Sequence, residues 1–94
     1  MNLKKIMVVC GSAVATSVAM KQYLLDELGK RGIETSIDTI SVNEVDTKVD
    51  NYDLIILLTR MKLETTTPVM SGIPFLTGIG LEDLLNDIEK QLRS

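Results

Sequence analysis

Histidine is absent from this 94-residue chain, and so is tryptophan. The first absence removes Ser-His-Asp and Cys-His catalysis, and with them any histidine-ligated metal site. The only cysteine, Cys10, can form neither an internal disulfide nor a CxxC redox pair. Aromatic residues are limited to Tyr23, Tyr52 and Phe75, no basic stripe is visible, and the formal net charge is −3. These features argue against nucleic-acid binding, which needs phosphate neutralisation or base stacking. The longest apolar runs, Ile6–Cys10 and Leu54–Leu58, are too short for a transmembrane helix or a signal-peptide core. A cytoplasmic protein is expected. No internal repeat, low-complexity tract or linker interrupts the chain, and its length fits a single domain over residues 1–94.

What is present alternates between two periodicities. Leu3–Val9 is apolar and rich in β-branched residues, which suits a buried strand. Cys10, Gly11 and Ser12 break it. From about Thr16 the pattern is helical: Val18, Leu25 and Leu28, with Ala15, Ala19 and Tyr23 beside them, fill one broad face. Lys30, Arg31 and Gly32 form a helix stop, with cations in the last turn and then glycine. Ile33–Ile40 alternates apolar or β-branched residues with Glu34, Ser36 and Asp38, predicting a half-exposed strand. Ser41-Val42-Asn43-Glu44 has the form of a capping box and predicts a short helix to about Lys48. Tyr52–Leu58 is the most apolar segment and should be a central strand. Thr59–Val69 reads as a loop and Gly72–Leu76 as a fourth strand. Pro74 would place that strand at an edge, because proline lacks the amide hydrogen a central strand needs. Leu81, Leu84, Leu85, Ile88 and Leu92 recur at helical spacing and predict an amphipathic C-terminal helix.

This alternation predicts a three-layer α/β fold. It has a four-stranded parallel sheet in the order 2-1-3-4 and helices on both faces, of the Rossmann-like or phosphatase-like kind. The topological switch point then falls at the carboxyl end of the first strand, where open α/β sheets bind ligands. Cys10 ends that strand.

The segment Cys10-Gly11-Ser12-Ala13-Val14-Ala15-Thr16-Ser17 therefore holds the candidate site. Small residues let a backbone wrap closely around a ligand. Successive amides and the amino end of a helix favour an anion, and the same field favours a thiolate. Thr16 and Ser17 can cap the helix or donate hydroxyls to an oxyanion. The competing explanation is that Cys10 is a small buried hydrophobe, the commoner fate of a lone cysteine. Neither a Walker loop nor a GxGxxG fingerprint is present.

The spacing also resembles the Cys-x5-Arg-Ser/Thr loop of cysteine-dependent phosphatases. Thr16 stands where the arginine clamp belongs, and a neutral side chain cannot supply its charge. Such a phosphatase also needs an acid for its leaving group; Asp46, Asp50 and Asp53 are candidates, but none lies in the Thr59–Val69 loop that should overhang the site. A cradle and a thiol without clamp or acid suit holding a phosphoryl group better than hydrolysing it.

The same segment resembles the phosphorylation loop of galactitol-type IIB components of the sugar phosphotransferase system; lactose-type and ascorbate-type IIB proteins have similar loops. Pro68-Val69-Met70-Ser71-Gly72-Ile73-Pro74-Phe75-Leu76-Thr77-Gly78 resembles the galactitol-type group as well. The resemblance implies that Cys10 carries a phosphoryl group and that Gly11, Ser12, Ala13, Val14, Ala15, Thr16 and Ser17 cradle it. It implies a phosphohistidine donor on a IIA component and a sugar or polyol acceptor held by a membrane IIC component. It implies no cofactor and no metal. A monomer is expected, since one site must face two partners in turn.

Several side chains have two readings. Val14, Met61 and Met70 could line the rim of the site or fill the core. Arg60 and Lys62 could steer a partner or approach the phosphoryl group, or simply be solvated. Glu82, Asp83, Asp87 and Glu89, like Asp26 and Glu27, read as solvated helix faces, and Tyr23 as packing. Two other functions stay open: a thiol hydrolase on the same fold, and a non-catalytic module binding an anion or a flavin.

Overall fold

The computed structural model describes residues 3–11, 14–42, 52–59 and 65–93, with backbone alone at 14–17. Its elements are β1 (Lys4–Cys10), α1 (Val14–Lys30), β2 (Thr35–Ser41), β3 (Leu54–Leu57), β4 (Val69–Ser71), α2 (Ile73–Thr77) and α3 (Leu81–Arg93). The four strands form one parallel sheet in the order β2-β1-β3-β4. The expected order is therefore the observed one, with β1 and β3 central. Because all strands run the same way, their carboxyl ends share one edge of the sheet, and Cys10, Ser41 and Ser71 are the last residues of their strands.

The period-2 alternation of β1 sorts its side chains into two cores. Ile6, Val8 and Cys10 join Ile37, Leu54, Ile56 and Leu58 on one face, under Met20, Leu24 and Leu28 of α1 and Leu84, Leu85, Ile88 and Leu92 of α3. Met7 and Val9 join Ile40, Ile55 and Leu57 on the other, with Val42 and Tyr52 packed against them. Val42, which leaves β2, and Tyr52, which leads into β3, thus share that second face. Each large aliphatic side chain buried this way stabilises the fold by about 1.5–3 kcal/mol. The helix expected near residues 42–48 lies outside the described residues. Among the described residues, no helix is long and apolar enough to cross a membrane.

Three elements differ from expectation. First, α1 starts at Val14 rather than about Thr16, and its buried stripe is Met20-Leu24-Leu28, an i, i+4, i+8 row. Val18 is exposed. Second, β1 extends to include Cys10, and β2 spans Thr35–Ser41 rather than Ile33–Ile40. Third, the last strand is Val69–Ser71, and Gly72–Leu76 is not a strand: Ile73–Thr77 forms the short helix α2 with Pro74 in its first turn. Proline is favoured there because the first-turn amides have no intrahelical partner and its φ is already helical. β4 is nevertheless the edge strand. Its shortness, not its proline, blunts the edge.

The carboxyl end of α1 closes in a Schellman motif. Ile33 N donates to Leu28 O at 2.9 Å and Gly32 N to Gly29 O at 3.1 Å, with Gly32 at φ 78°. Leu28 and Ile33 both lie in the helix-side core, which supplies the apolar contact that accompanies this motif.

Candidate functional site

Cys10 is placed by the centre of the sheet. β1 pairs with β2 on one side, where Cys10 faces Ser41, and with β3 on the other, where Leu58 N donates to Val9 O at 2.8 Å. The thiol, which is in no disulfide, points to the face covered by α1 and is 7% exposed. The next residue, Gly11, is exposed. Cys10 therefore both closes the apolar core and ends at its solvent boundary. A side chain added at Gly11 would meet nothing within 4 Å, and its φ is not in the left-handed region. Neither packing nor backbone geometry demands glycine at that position, and the open space is what a bound anion needs.

α1 begins at Val14, four positions after Cys10. No carboxylate stands in the first turn of α1 to offset the partial positive charge of its amino end. Of the expected cradle, Gly11 is described in full and Val14, Ala15, Thr16 and Ser17 by their backbone, while Ser12 and Ala13 lie outside the described residues.

The candidate acid Asp53 belongs to the opposite edge. Its Oδ2 accepts the Lys5 amide at 2.9 Å, and its own amide donates to Lys5 O at 2.8 Å. At about 3.3 Å per residue along β1, Lys5 lies roughly 16 Å from Cys10. Asp53 is thus fastened to the amino end of the sheet and cannot protonate a leaving group at Cys10. Asp46 and Asp50 lie outside the described residues, as do Arg60, Met61 and Lys62. Thr65–Pro68, the described part of the expected overhanging loop, is also at the amino edge, where Pro68 O accepts the Ile55 amide. Met70 is half-buried and packs on the helix-side core beneath β4.

The remaining candidates resolve into packing and surface. Tyr23 meets Phe75 with ring centroids 5.6 Å apart, tying α1 to α2. Glu82, Asp83 and Asp87 are exposed, as expected for an outer helix face. Glu89 is not merely solvated. Its carboxylate takes Arg31 Nη1 and Arg93 Nε, each at 2.8 Å, while Arg93 Nη2 donates to Arg31 O at 2.7 Å. The Arg31 guanidinium first, and then Arg93, hold the Glu89 carboxyl below its ordinary value. Sequence reading also missed Gly72. A Cβ there would lie 2.6 Å from Leu58 Cδ2 and 2.9 Å from Ile56 Cγ2, so the turn after β4 presses directly on β3. The other residue missed is Ser41, whose register beside Cys10 becomes visible only once the strands are paired.

Residues 5–94 match the family model described as "PTS system, Lactose/Cellobiose specific IIB subunit". The "PTS system galactitol-specific EIIB component" of Escherichia coli strain K12 is 35% identical over 88 residues, covering 90% of this chain and 92% of the relative. The protein of the same name from Shigella flexneri is 34% identical over 86 residues, with the same coverage. The matched region contains all of the sheet but its first residue, Lys4, together with Cys10, and the arginine that a phosphatase would carry after its cysteine loop is threonine in this chain. The chain belongs to the lactose/cellobiose-specific IIB family of the phosphotransferase system, and is a phosphotransferase that carries phosphoryl groups between IIA and IIC components in sugar uptake.

Proposed function

We propose that Cys10 Sγ is the atom that carries the phosphoryl group, and that the chain serves uptake of a polyol of the galactitol type. The observation that carries this reading is the position of Cys10, the last residue of central β1, followed at once by an exposed glycine and the amino end of α1. The substrate class comes from the galactitol-specific relatives.

In the first transfer, Sγ attacks phosphorus of a phosphohistidine on the IIA component. The S–P bond forms as the N–P bond breaks, and the electron pair returns to the imidazole. In the second, a polyol hydroxyl oxygen held by the IIC component attacks phosphorus, the O–P bond forms as S–P breaks, the electron pair of that bond returns to Sγ, and the hydroxyl proton passes to water. In-line transfer asks mainly for positioning and charge stabilisation, which the amides of Gly11 to Ser17 and the amino end of α1 supply. The partner's histidine provides what this chain lacks. The protein works as a cytoplasmic monomer that meets the membrane through the IIC component.

The test is a full relay. Labelled phosphoenolpyruvate, the general phosphotransferase proteins, a galactitol-type IIA, this chain and IIC-bearing vesicles are combined with a panel of hexitols and pentitols. Labelled galactitol phosphate is expected with the wild type and none with Cys10→Ser. Transfer retained by that variant ends the proposal for Cys10, and transfer only to another polyol corrects the substrate.

A further inference from the structure

Among the described residues, six large apolar side chains are exposed: Leu3, Val18, Val69, Ile73, Leu76 and Ile79, of which three fall together after β4. Ile73, Leu76 and Ile79 follow the carboxyl end of β4 and are 36%, 47% and 78% exposed. Ile79 stands out because its presentation is built. It sits between Gly78 and Gly80, both at φ 76°, a conformation in which glycine is favoured. Gly78 N donates to Pro74 O at 2.8 Å and caps α2, while Gly80 O accepts Leu84 N at 3.0 Å and starts α3. The Ile79 amide itself donates to Thr77 Oγ1 at 3.2 Å. Two left-handed glycines and three hydrogen bonds thus hold a β-branched side chain out in water. Such a side chain loses little rotamer freedom when a partner buries it.

Beside this knob runs a groove of about 660 Å³ between β4, α2 and α3, lined by Met70, Pro74, Gly80, Leu84, Asp83 and Asp87 among others. Its floor is apolar, and Asp83 and Asp87, both exposed, stand on its rim with Lys90. Glu82 is exposed one residue before Asp83. Residues 72–81 carry no charge at all, and the groove's charged lining is Asp83 and Asp87 against the single cation Lys90, an excess of one negative charge; Glu82 turns instead toward Tyr23 and Arg31. Ile79 and the start of the groove follow the carboxyl end of β4, on the edge where Cys10 ends β1, two strands across at about 4.8 Å per strand, and the groove runs from there along α3 to Lys90 and Gln91.

We infer that Ile79 and this groove dock the cytoplasmic face of the membrane component that takes the phosphoryl group from Cys10. The charge decides the occupant. Cytoplasmic loops of membrane proteins carry an excess of lysine and arginine near apolar segments, which complements an apolar groove rimmed by carboxylates. The inference rests on the phosphocarrier reading of Cys10, because the acceptor must cover the same edge to reach the thiol.

Two readouts test it. In polyol phosphorylation by IIC-bearing vesicles, Ile79→Ser should raise KM for the phosphorylated chain about tenfold or more, the loss of one anchoring side chain, with a smaller change in acceptance from the IIA donor. Asp83→Asn with Asp87→Asn should flatten the salt dependence of that KM. The second readout is co-sedimentation of the unphosphorylated chain with vesicles that hold or lack the IIC component, which needs no phosphoryl transfer. Retention only on IIC vesicles, weakened by Ile79→Ser, supports the docking surface even if Cys10 proves not to be the carrier. An unchanged KM and unchanged retention overturn it. An equal or larger loss in the donor step also overturns it, by assigning the patch to the IIA component.

Discussion

The two edges of the sheet are built on different principles. At the amino edge the described polar contacts are fastenings, although Leu3 and Val69 are exposed there too. Asp53 and Lys5 exchange two hydrogen bonds, Pro68 O takes the Ile55 amide, and Lys4 N donates to Glu34 O. The Arg31–Glu89–Arg93 cluster joins the carboxyl end of α1 to α3. At the carboxyl edge Cys10, the proposed carrier, ends the central strand, Gly11 is exposed, and apolar side chains reach into solvent. A carrier whose thiol must be approached by two proteins needs one edge free, and the opposite edge can be cross-linked without obstructing either. The teaching is that stability and traffic are separated along the strand direction, by roughly the 25 Å that the 17 residues of α1 span.

Two glycines at the carboxyl edge give the sharpest way to break this comparison. Alanine at Gly72 drives its Cβ into Leu58 and Ile56 of the core, and overpacking of this kind costs about 1–3 kcal/mol. A lowered midpoint in chemical denaturation is the expected result. Among the described residues, a Cβ at Gly11 meets nothing within 4 Å beyond its chain neighbours, so the midpoint of Gly11→Ala should hold or rise slightly through the unfolded state. Its phosphoryl acceptance should fall about tenfold, about 1.4 kcal/mol of transition-state stabilisation, if the open space is the anion's. Unaltered acceptance by Gly11→Ala would take the loop out of the site.

The amino edge makes smaller, pH-dependent predictions. With its carboxyl held below the ordinary 4.5, Glu89 contributes stability above that pH and loses it as pH falls through the lowered value. Glu89→Gln should therefore flatten the acid limb of a stability–pH curve and change acceptance little. The smallest effect lies on the second sheet face. Burial, and then the 2.7 Å hydrogen bond from its hydroxyl to Asp38 Oδ2, push Tyr52 up to about 12 from 10.0. A raised value contributes fully below 10.0 and is lost as pH climbs to about 12. Ultraviolet titration of the wild type minus Tyr52→Phe should show a late tyrosinate transition, whereas an ordinary one would sever the Asp38 link.

Strand order, the C-terminal helix and the position of Cys10 were legible because each rests on local signals. α3 has an unambiguous apolar stripe, and Leu81, Leu84, Leu85, Ile88 and Leu92 all pack inward. α1 was harder, since its first half is small or apolar on every side. The helical reading put Val18 on the inner face and did not single out Met20, and only the sheet beneath decides that Met20 is the buried one. Pro74 led to the right edge for the wrong reason: the same residue that forbids a central strand is welcome in the first turn of a helix, and Gly72-Ile73-Pro74 is that turn. The Glu89 cluster was not legible, because Arg31 lies 58 residues away and only folding brings them together. The same holds for Asp53, whose charge made it a candidate acid until its register put it beside Lys5.

The most direct measurement is the intact mass of the chain after incubation with a phosphorylated galactitol-type IIA, with Cys10→Ser alongside. The account predicts one added phosphoryl group on the wild type, lost on reaction with a IIC-bound polyol, and none on the variant. A phosphoryl group on the Cys10→Ser chain, or none on the wild type beside a demonstrably phosphorylated donor, would contradict it.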